Sequence, residues 1–314
     1  MTKTSFRLRD VEFKNRVLVA SGTFGYGDEL KDLVDVNMLG GMITKSLSWK
    51  PRDGNPPGRI AETTGGMLNS IGLANIGVHH FVKDKLPYLK TLNTVVIANI
   101  AASSIDEYCD VLSLLDQEEA VDGFEINVSC PNVKEGGLSF GTDCDATAEI
   151  TSRLRRLTEK PLIIKLTPNV THVSEFAKAV ARAGADAVSL INTVIGMAVD
   201  VKTRKPKLST VTGGLSGPAI KPIALAKVYE AAQSVDIPII GIGGIASAED
   251  ALEFLLVGAS AVQIGTMNYV DPSASAKIAQ GMAEFAARNK VDDLAEFVGA
   301  LDANVEFSVL QSWL

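Results

Sequence analysis

The sequence predicts one α/β domain of the (β/α)₈ barrel type, and three observations predict it. Short apolar runs recur along the 314 residues, each ending in a polar or glycyl residue. Between them lie segments whose apolar residues recur at three and four with charges interspersed, the pattern of amphipathic helices. The runs themselves are apolar throughout instead of alternating, as strands of a parallel sheet covered by helices are. An open doubly wound sheet shares that alternation, but no Gly-x-Gly-x-x-Gly follows the first strand, since Gly22 to Gly27 has the wrong spacing.

Residues 1–13 read as two short strands flanking a turn at Arg9 and Asp10, a cover for the barrel bottom. The strands then follow in order. Val17 to Ala20 ends at Ser21, Gly41 to Thr44 at Lys45 and Ser46, and Val95 to Ala98 at Asn99. Phe124 to Ile126 ends at Asn127, Leu162 to Ile164 at Lys165, and Ala187 to Ile191 at Asn192. Ile239 to Ile242 runs into Gly243 and Gly244, and Ala261 to Ile264 into Gly265 and Thr266, which makes eight strands. Helical periodicity marks Ile105 to Leu115, Ala146 to Leu157, Val173 to Ala183, Ile220 to Ala232 and Ala248 to Val257. Asp271 to Asn289 and Val291 to Leu301 read as closing helices. In a barrel the C-terminal strand ends converge on one mouth, so the polar residues at those ends become neighbours.

Composition fits one compact domain spanning residues 1–314. Hydrophobic residues make up 46% and charged residues 21%, enough for a large core without a disordered tract. No apolar run approaches the roughly 18 residues that span a bilayer, and Met1 to Phe6 has no signal-peptide core. A net charge of −7 argues against a nucleic-acid surface, so an anionic substrate needs a local positive charge. The three cysteines, Cys109, Cys130 and Cys144, include no Cys-x-x-Cys pair, which suits a reducing cytoplasm and is too few for an iron–sulfur cluster. His79, His80 and His172 lack metal-ligand spacing and read as exposed helix histidines, so no metal is expected.

The strand ends indicate what the mouth binds. Asn127-Val128-Ser129-Cys130-Pro131-Asn132 puts a thiol between amides where an apolar strand stops, because Pro131 lacks the N–H that a ladder needs. Alone, Cys130 is as well explained as a small buried hydrophobe. Gly241 to Ile245, leading into Ser247-Ala248-Glu249-Asp250 as a helix N-cap, and Gln263 to Thr266 one unit later are suited to cradling a phosphate. Gly213 to Pro218 adds a third glycine-rich turn at the same mouth, although glycines at barrel corners can also be purely steric. Lys45 and Lys165 call for a counter-charge, which a flavin edge, an anionic substrate or a carboxylate supplies. Asn69, Asn127, Asn132 and Asn192 suit a ring that bears amide N–H and C=O groups. From the residues alone, a barrel lyase or isomerase acting on a phosphorylated substrate, or a non-catalytic scaffold, remains open.

Taken together and in order, Thr44-Lys45-Ser46, Asn69-Ser70-Ile71-Gly72-Leu73, Asn127 to Asn132, Lys165-Leu166-Thr167-Pro168-Asn169, Asn192-Thr193 and Gly213 to Pro218 resemble dihydroorotate dehydrogenase over nearly the whole chain. The likeness is greatest to the class 1B catalytic subunits, whereas class 2 members have Ser as base and a membrane-associating N-terminal extension. The resemblance implies FMN held by Ser21, Lys45, Ser46, Asn99, Asn127, Lys165, Ile191, Gly217, Gly243, Gly244, Gly265 and Thr266. It implies substrate held by Lys45, Asn69, Ser70, Ile71, Gly72, Leu73, Asn127, Asn132, Asn192 and Thr193. It further implies that Cys130 takes the C5 proton of (S)-dihydroorotate while hydride passes from C6 to flavin N5, giving orotate for pyrimidine synthesis. Electrons are then expected to reach NAD⁺ through a partner subunit carrying FAD and a [2Fe–2S] cluster, in a heterotetramer of two catalytic and two electron-transfer chains. The alternative within the family is a class 1A-like enzyme that reduces fumarate without a partner.

Overall fold

The structure, a computed structural model, describes residues 2–129 and 140–303. Its centre is a closed barrel of parallel strands: β1 (Val17–Val19), β2 (Gly41–Ile43), β3 (Val95–Ile100), β4 (Gly123–Asn127), β5 (Leu162–Lys165), β6 (Ala187–Leu190), β7 (Ile239–Ile242) and β8 (Ala259–Ile264). Each strand pairs with its sequence neighbours, and β8 returns to β1 with Val262 opposite Val17. The fold class expected from the sequence is therefore the one observed. β3 runs past Asn99 to Ile100, so that asparagine lies inside a strand and not beyond its end.

The covering helices are α1 (Ile105–Asp116), α2 (Cys144–Arg155), α3 (Val173–Arg182), α4 (Lys221–Ala232), α5 (Ala248–Leu256) and α6 (Ala274–Arg288). Their starts are set by side chains that satisfy otherwise unpaired N–H groups. Ser104 accepts from Glu107 N, Asp143 from Ala146 N, and Ser247 with Asp250 forms a reciprocal capping box at α5. The α3 stripe of Val173, Phe176, Ala177 and Val180 is buried, matching its three–four spacing.

Two segments differ from the sequence reading. Val291 to Leu301 contains only a 3₁₀ turn, Leu294–Phe297, and no closing α-helix. Its later amides donate outward, Gly299 N to Leu255 O at 2.9 Å and Leu301 N to Leu256 O at 3.1 Å, so bonds a helix would make internally go to α5. Gly213 to Ser216, read as a turn, belongs to a strand, Thr212–Ser216. A Cβ on Gly213 would lie 2.6 Å from Asn69 O and one on Gly214 2.0 Å from Thr193 Oγ1, so these glycines leave room for the backbone and side chain packed against the strand.

The N-terminal hairpin, Phe6–Leu8 with Val11–Phe13, packs across the barrel bottom. Phe6 and Phe13 stack at 4.4 Å and join Leu8 against Leu18, Ile43, Ile97, Ile163, Ala187, Ile240 and Ala261, interior residues from β1 to β3 and β5 to β8. β4 contributes Gly123 there, where a Cβ would lie 2.9 Å from Ile97 Cδ1. Burying each large apolar side chain stabilises the fold by about 1.5–3 kcal/mol. The mouth is dressed differently. Insertions after β2 and β6 build a four-stranded antiparallel sheet in the order Val194–Met197, Thr212–Ser216, Gly66–Asn69, Ile60–Thr63.

Candidate active site

Side chains along a strand alternate between faces, so residues two positions beyond the apolar floor share its interior. On β3, β4, β5, β6 and β8 these are Asn99, Glu125, Lys165, Ser189 and Gln263, all buried. They form one network. Glu125 Oε1 accepts from Asn99 Nδ2 at 2.6 Å, and its Oε2 accepts from Ser189 Oγ at 2.9 Å and Gln263 Nε2 at 2.6 Å. Lys165 Nζ lies 3.7 Å from Glu125 Oε1 and donates to Ser21 Oγ at 3.3 Å. The counter-charge expected for Lys165 is thus supplied by the protein itself. Asn99 in turn accepts from Ser46 Oγ at 2.6 Å, which brings Ser21, Ser46, Asn99 and Lys165 into one polar cluster.

Lys45 continues β2 at the mouth, partly exposed, with its N–H donating to Gly25 O at 2.9 Å. Its ammonium has no ion pair among the described residues, so it is a cation available to an anionic ligand. Asn127, at the end of β4, accepts Tyr108 OH on its carbonyl at 2.8 Å and Asn192 Nδ2 on its side chain at 3.3 Å. Asn192 Oδ1 accepts Thr193 N at 2.8 Å, so Asn127 and Asn192 touch and Thr193 is held beside Asn192. Asn69 reaches Gly214 O at 3.4 Å across the mouth sheet. Ser70 to Leu73 is fastened mainly from outside: Asn55 Nδ2 and Thr210 Oγ1 donate to Ser70 Oγ at 2.9 and 2.6 Å, and Asn55 N donates to Ile71 O at 3.0 Å. Cys130 and Asn132 lie outside the described residues.

The glycine loops have backbone conformations that glycine adopts readily and other residues do not. Gly217, Gly243 and Gly244 have φ of 94°, 130° and 76°, a region that side chains rarely adopt. A Cβ on Gly243 would come 3.2 Å from Ile191 Cγ1, and one on Gly217 3.6 Å from Thr266 Cγ2, so these residues are neighbours. Thr266 Oγ1 donates to Ser216 Oγ at 2.8 Å, joining the loop after β8 to the mouth sheet. Gly22, at φ 83°, faces open space with no atom within 4 Å of a Cβ placed there. Amides that donate and accept, two cations, hydroxyls and close-approach glycines make a donor set that fits a phosphorylated isoalloxazine, the group expected from the sequence.

Sequence reasoning missed Glu125, Ser189, Gln263 and Tyr108, which position the expected residues. The signal for Glu125 was present: a lone carboxylate inside the apolar run Gly123 to Val128 cannot be buried unpaired. The other two cysteines sit on covering helices, and burial pushes both the Cys109 and the Cys144 thiol up. Neither resembles an activated thiolate.

The fold and mouth define a (β/α)₈ barrel with polar strand ends and glycine-bearing loops at its mouth. A family model described as dihydroorotate dehydrogenase matches residues 3–286. A Geotalea daltonii protein named dihydroorotate dehydrogenase B (NAD(+)), catalytic subunit, is 53% identical over 297 residues, covering 95% of this chain and 97% of its own. Proteins of the same name from Pelobacter propionicus and Geobacter sulfurreducens are 54% and 51% identical, covering 94% and 95% of this chain and 97% and 98% of theirs. The chain belongs to the dihydroorotate dehydrogenase family.

Proposed function

We propose that this chain is the catalytic subunit of an NAD-linked dihydroorotate dehydrogenase, oxidising (S)-dihydroorotate to orotate in pyrimidine synthesis. The observation that carries the reading is the meeting of Ser21, Ser46, Asn99 and Lys165 in one hydrogen-bonded cluster at the barrel mouth of a family member. FMN held there would supply the acceptor for the hydride leaving C6 of dihydroorotate.

The chain's own residues do the rest. Ser21, Ser46, Asn99, Asn127, Lys165 and Ile191 would hold the flavin. The loops at Gly217, Gly243, Gly244, Gly265 and Thr266 take the phosphate through backbone N–H groups. Lys45, whose ammonium has no ion pair among the described residues, pairs with the substrate carboxylate. Asn69 to Leu73, Asn127, Asn132, Asn192 and Thr193 orient the pyrimidine ring through amides that both donate and accept. Cys130, the remaining cysteine after the two helix thiols, takes the C5 proton on Sγ.

Electrons leave to a partner subunit bearing FAD and a [2Fe–2S] cluster and then to NAD⁺, in an assembly of two catalytic and two electron-transfer chains in the cytoplasm. Among the described residues no helix is long and apolar enough to cross a membrane, as this reading requires. The test is to assay the purified single chain with dihydroorotate and either NAD⁺ or fumarate. Reduction of an artificial dye without NADH or succinate formation is expected. Robust NADH formation without a second protein would contradict the partner, and efficient fumarate reduction would move the chain to the partner-free type.

A further inference from the structure

Glu125 has no task in the reaction above, yet it is wholly buried in the barrel. It stands on β4 opposite Asn99 of β3, and two residues later Asn127 stands opposite Lys165 of β5. Every group facing its carboxylate is a donor: Asn99 Nδ2 and Lys165 Nζ toward Oε1, Ser189 Oγ and Gln263 Nε2 toward Oε2. Because Asn99 turns its NH₂ to Glu125, its carbonyl oxygen is left facing Ser46 Oγ at 2.6 Å. Lys165 Nζ is likewise held between Glu125 and Ser21. Stability alone does not account for a charge here, since well-packed apolar residues commonly replace a buried ion pair at no loss. What an apolar residue would not do is fix the direction of an amide and offset one of two lysine charges at the mouth.

We infer that Glu125 is a positioning residue of the cofactor site, aiming the Asn99 amide, holding the Lys165 ammonium and setting the charge balance of the mouth. The inference rests on the reading of that mouth as an FMN site. Glu125→Gln keeps the volume but removes the charge and turns one arm into a donor facing donors. Ser21 still holds Lys165, so the field at the mouth becomes more positive. The midpoint potential of bound FMN is expected to shift upward, and the FMN dissociation constant, read by fluorescence titration of the apo chain, to rise roughly tenfold to hundredfold. Glu125→Asp keeps the charge and shortens the reach, so its potential is expected to stay near wild type while FMN binding weakens severalfold.

A merely structural role would lower the melting temperature of both variants and leave the potential of bound FMN unchanged. An unchanged potential in Glu125→Gln, or an equal shift in Glu125→Asp, would overturn the inference. If Glu125→Gln does not fold, Glu125→Asp and Gln263→Met carry the test: both loosen the carboxylate while keeping its charge, and unchanged FMN binding in both would overturn it. A wild-type chain that takes up no FMN would overturn the underlying reading and the inference with it. FMN uptake by wild type with no response in the variants would overturn the inference alone.

Discussion

Lys165 illustrates what single residues contribute at this mouth. It is 5% exposed, and its ammonium lies between Glu125 and Ser21 beside the polar cluster of Ser46 and Asn99. Its position was legible in the sequence because a lysine ending an apolar strand is conspicuous. Its partner was not, because Glu125 sits among Phe124, Ile126 and other apolar neighbours where only the barrel's closure reveals which donors face it. Cys130 carries the sharpest prediction at this scale. Cys130→Ala is expected to retain FMN while reduction of bound flavin by dihydroorotate falls about 10²–10⁴-fold, the range of a lost general base. Cys130→Ser is expected to keep a trace of activity that rises with pH, since an alkoxide forms less readily than a thiolate. Rapid mixing of each variant with dihydroorotate checks both, and a near wild-type rate in Cys130→Ala would remove Cys130 from the mechanism.

Elements make the site by ending in the right places. Strand positions were readable because parallel strands are apolar on both faces and stop at polar or glycyl residues. The mouth sheet was not readable, since its strands are short, most carry glycine, and the pairing that joins its two halves, Asn69 with Gly214, spans more than a hundred residues. Gly244 tests the loop after β7. Its φ is 76°, and a Cβ would lie 2.6 Å from Lys221 N, so Gly244→Ala is expected to cost about 1–3 kcal/mol and to lower FMN content, measured by chemical denaturation and flavin absorbance. Wild-type stability and FMN content in this variant would show that the loop is not shaped as described.

The start of α6 has an electrostatic signature. Hydrogen bonding from Lys277 first, then from Ser273, lowers the Asp271 carboxyl from 3.8 to about 2. A group whose folded value lies below its unfolded value stabilises fully above the unfolded value and loses that contribution as pH falls through the folded one. Between pH 4 and pH 2 the wild-type melting temperature is therefore expected to drop more steeply than that of Asp271→Asn. Parallel curves over that window would show that Asp271 carries no linkage.

At the scale of the whole molecule, the barrel separates its two ends by chemistry. The hairpin aromatics close an apolar floor, while the opposite end gathers amides, two lysines and the glycine loops under the mouth sheet. Eight apolar strands alternating with amphipathic helices, with no dinucleotide-type glycine run after the first strand, were enough to favour this architecture over an open sheet that shares the alternation. They were not enough to say how the mouth is covered, which depends on insertions with no periodic signal.

The mouth is proposed to hold FMN and to deliver to it the hydride of dihydroorotate. The direct measurement is anaerobic addition of dihydroorotate to the purified chain, following flavin absorbance and orotate together. Bleaching of the flavin with one orotate formed per bound FMN is the expected result. A chain that binds FMN yet neither bleaches nor yields orotate would contradict it.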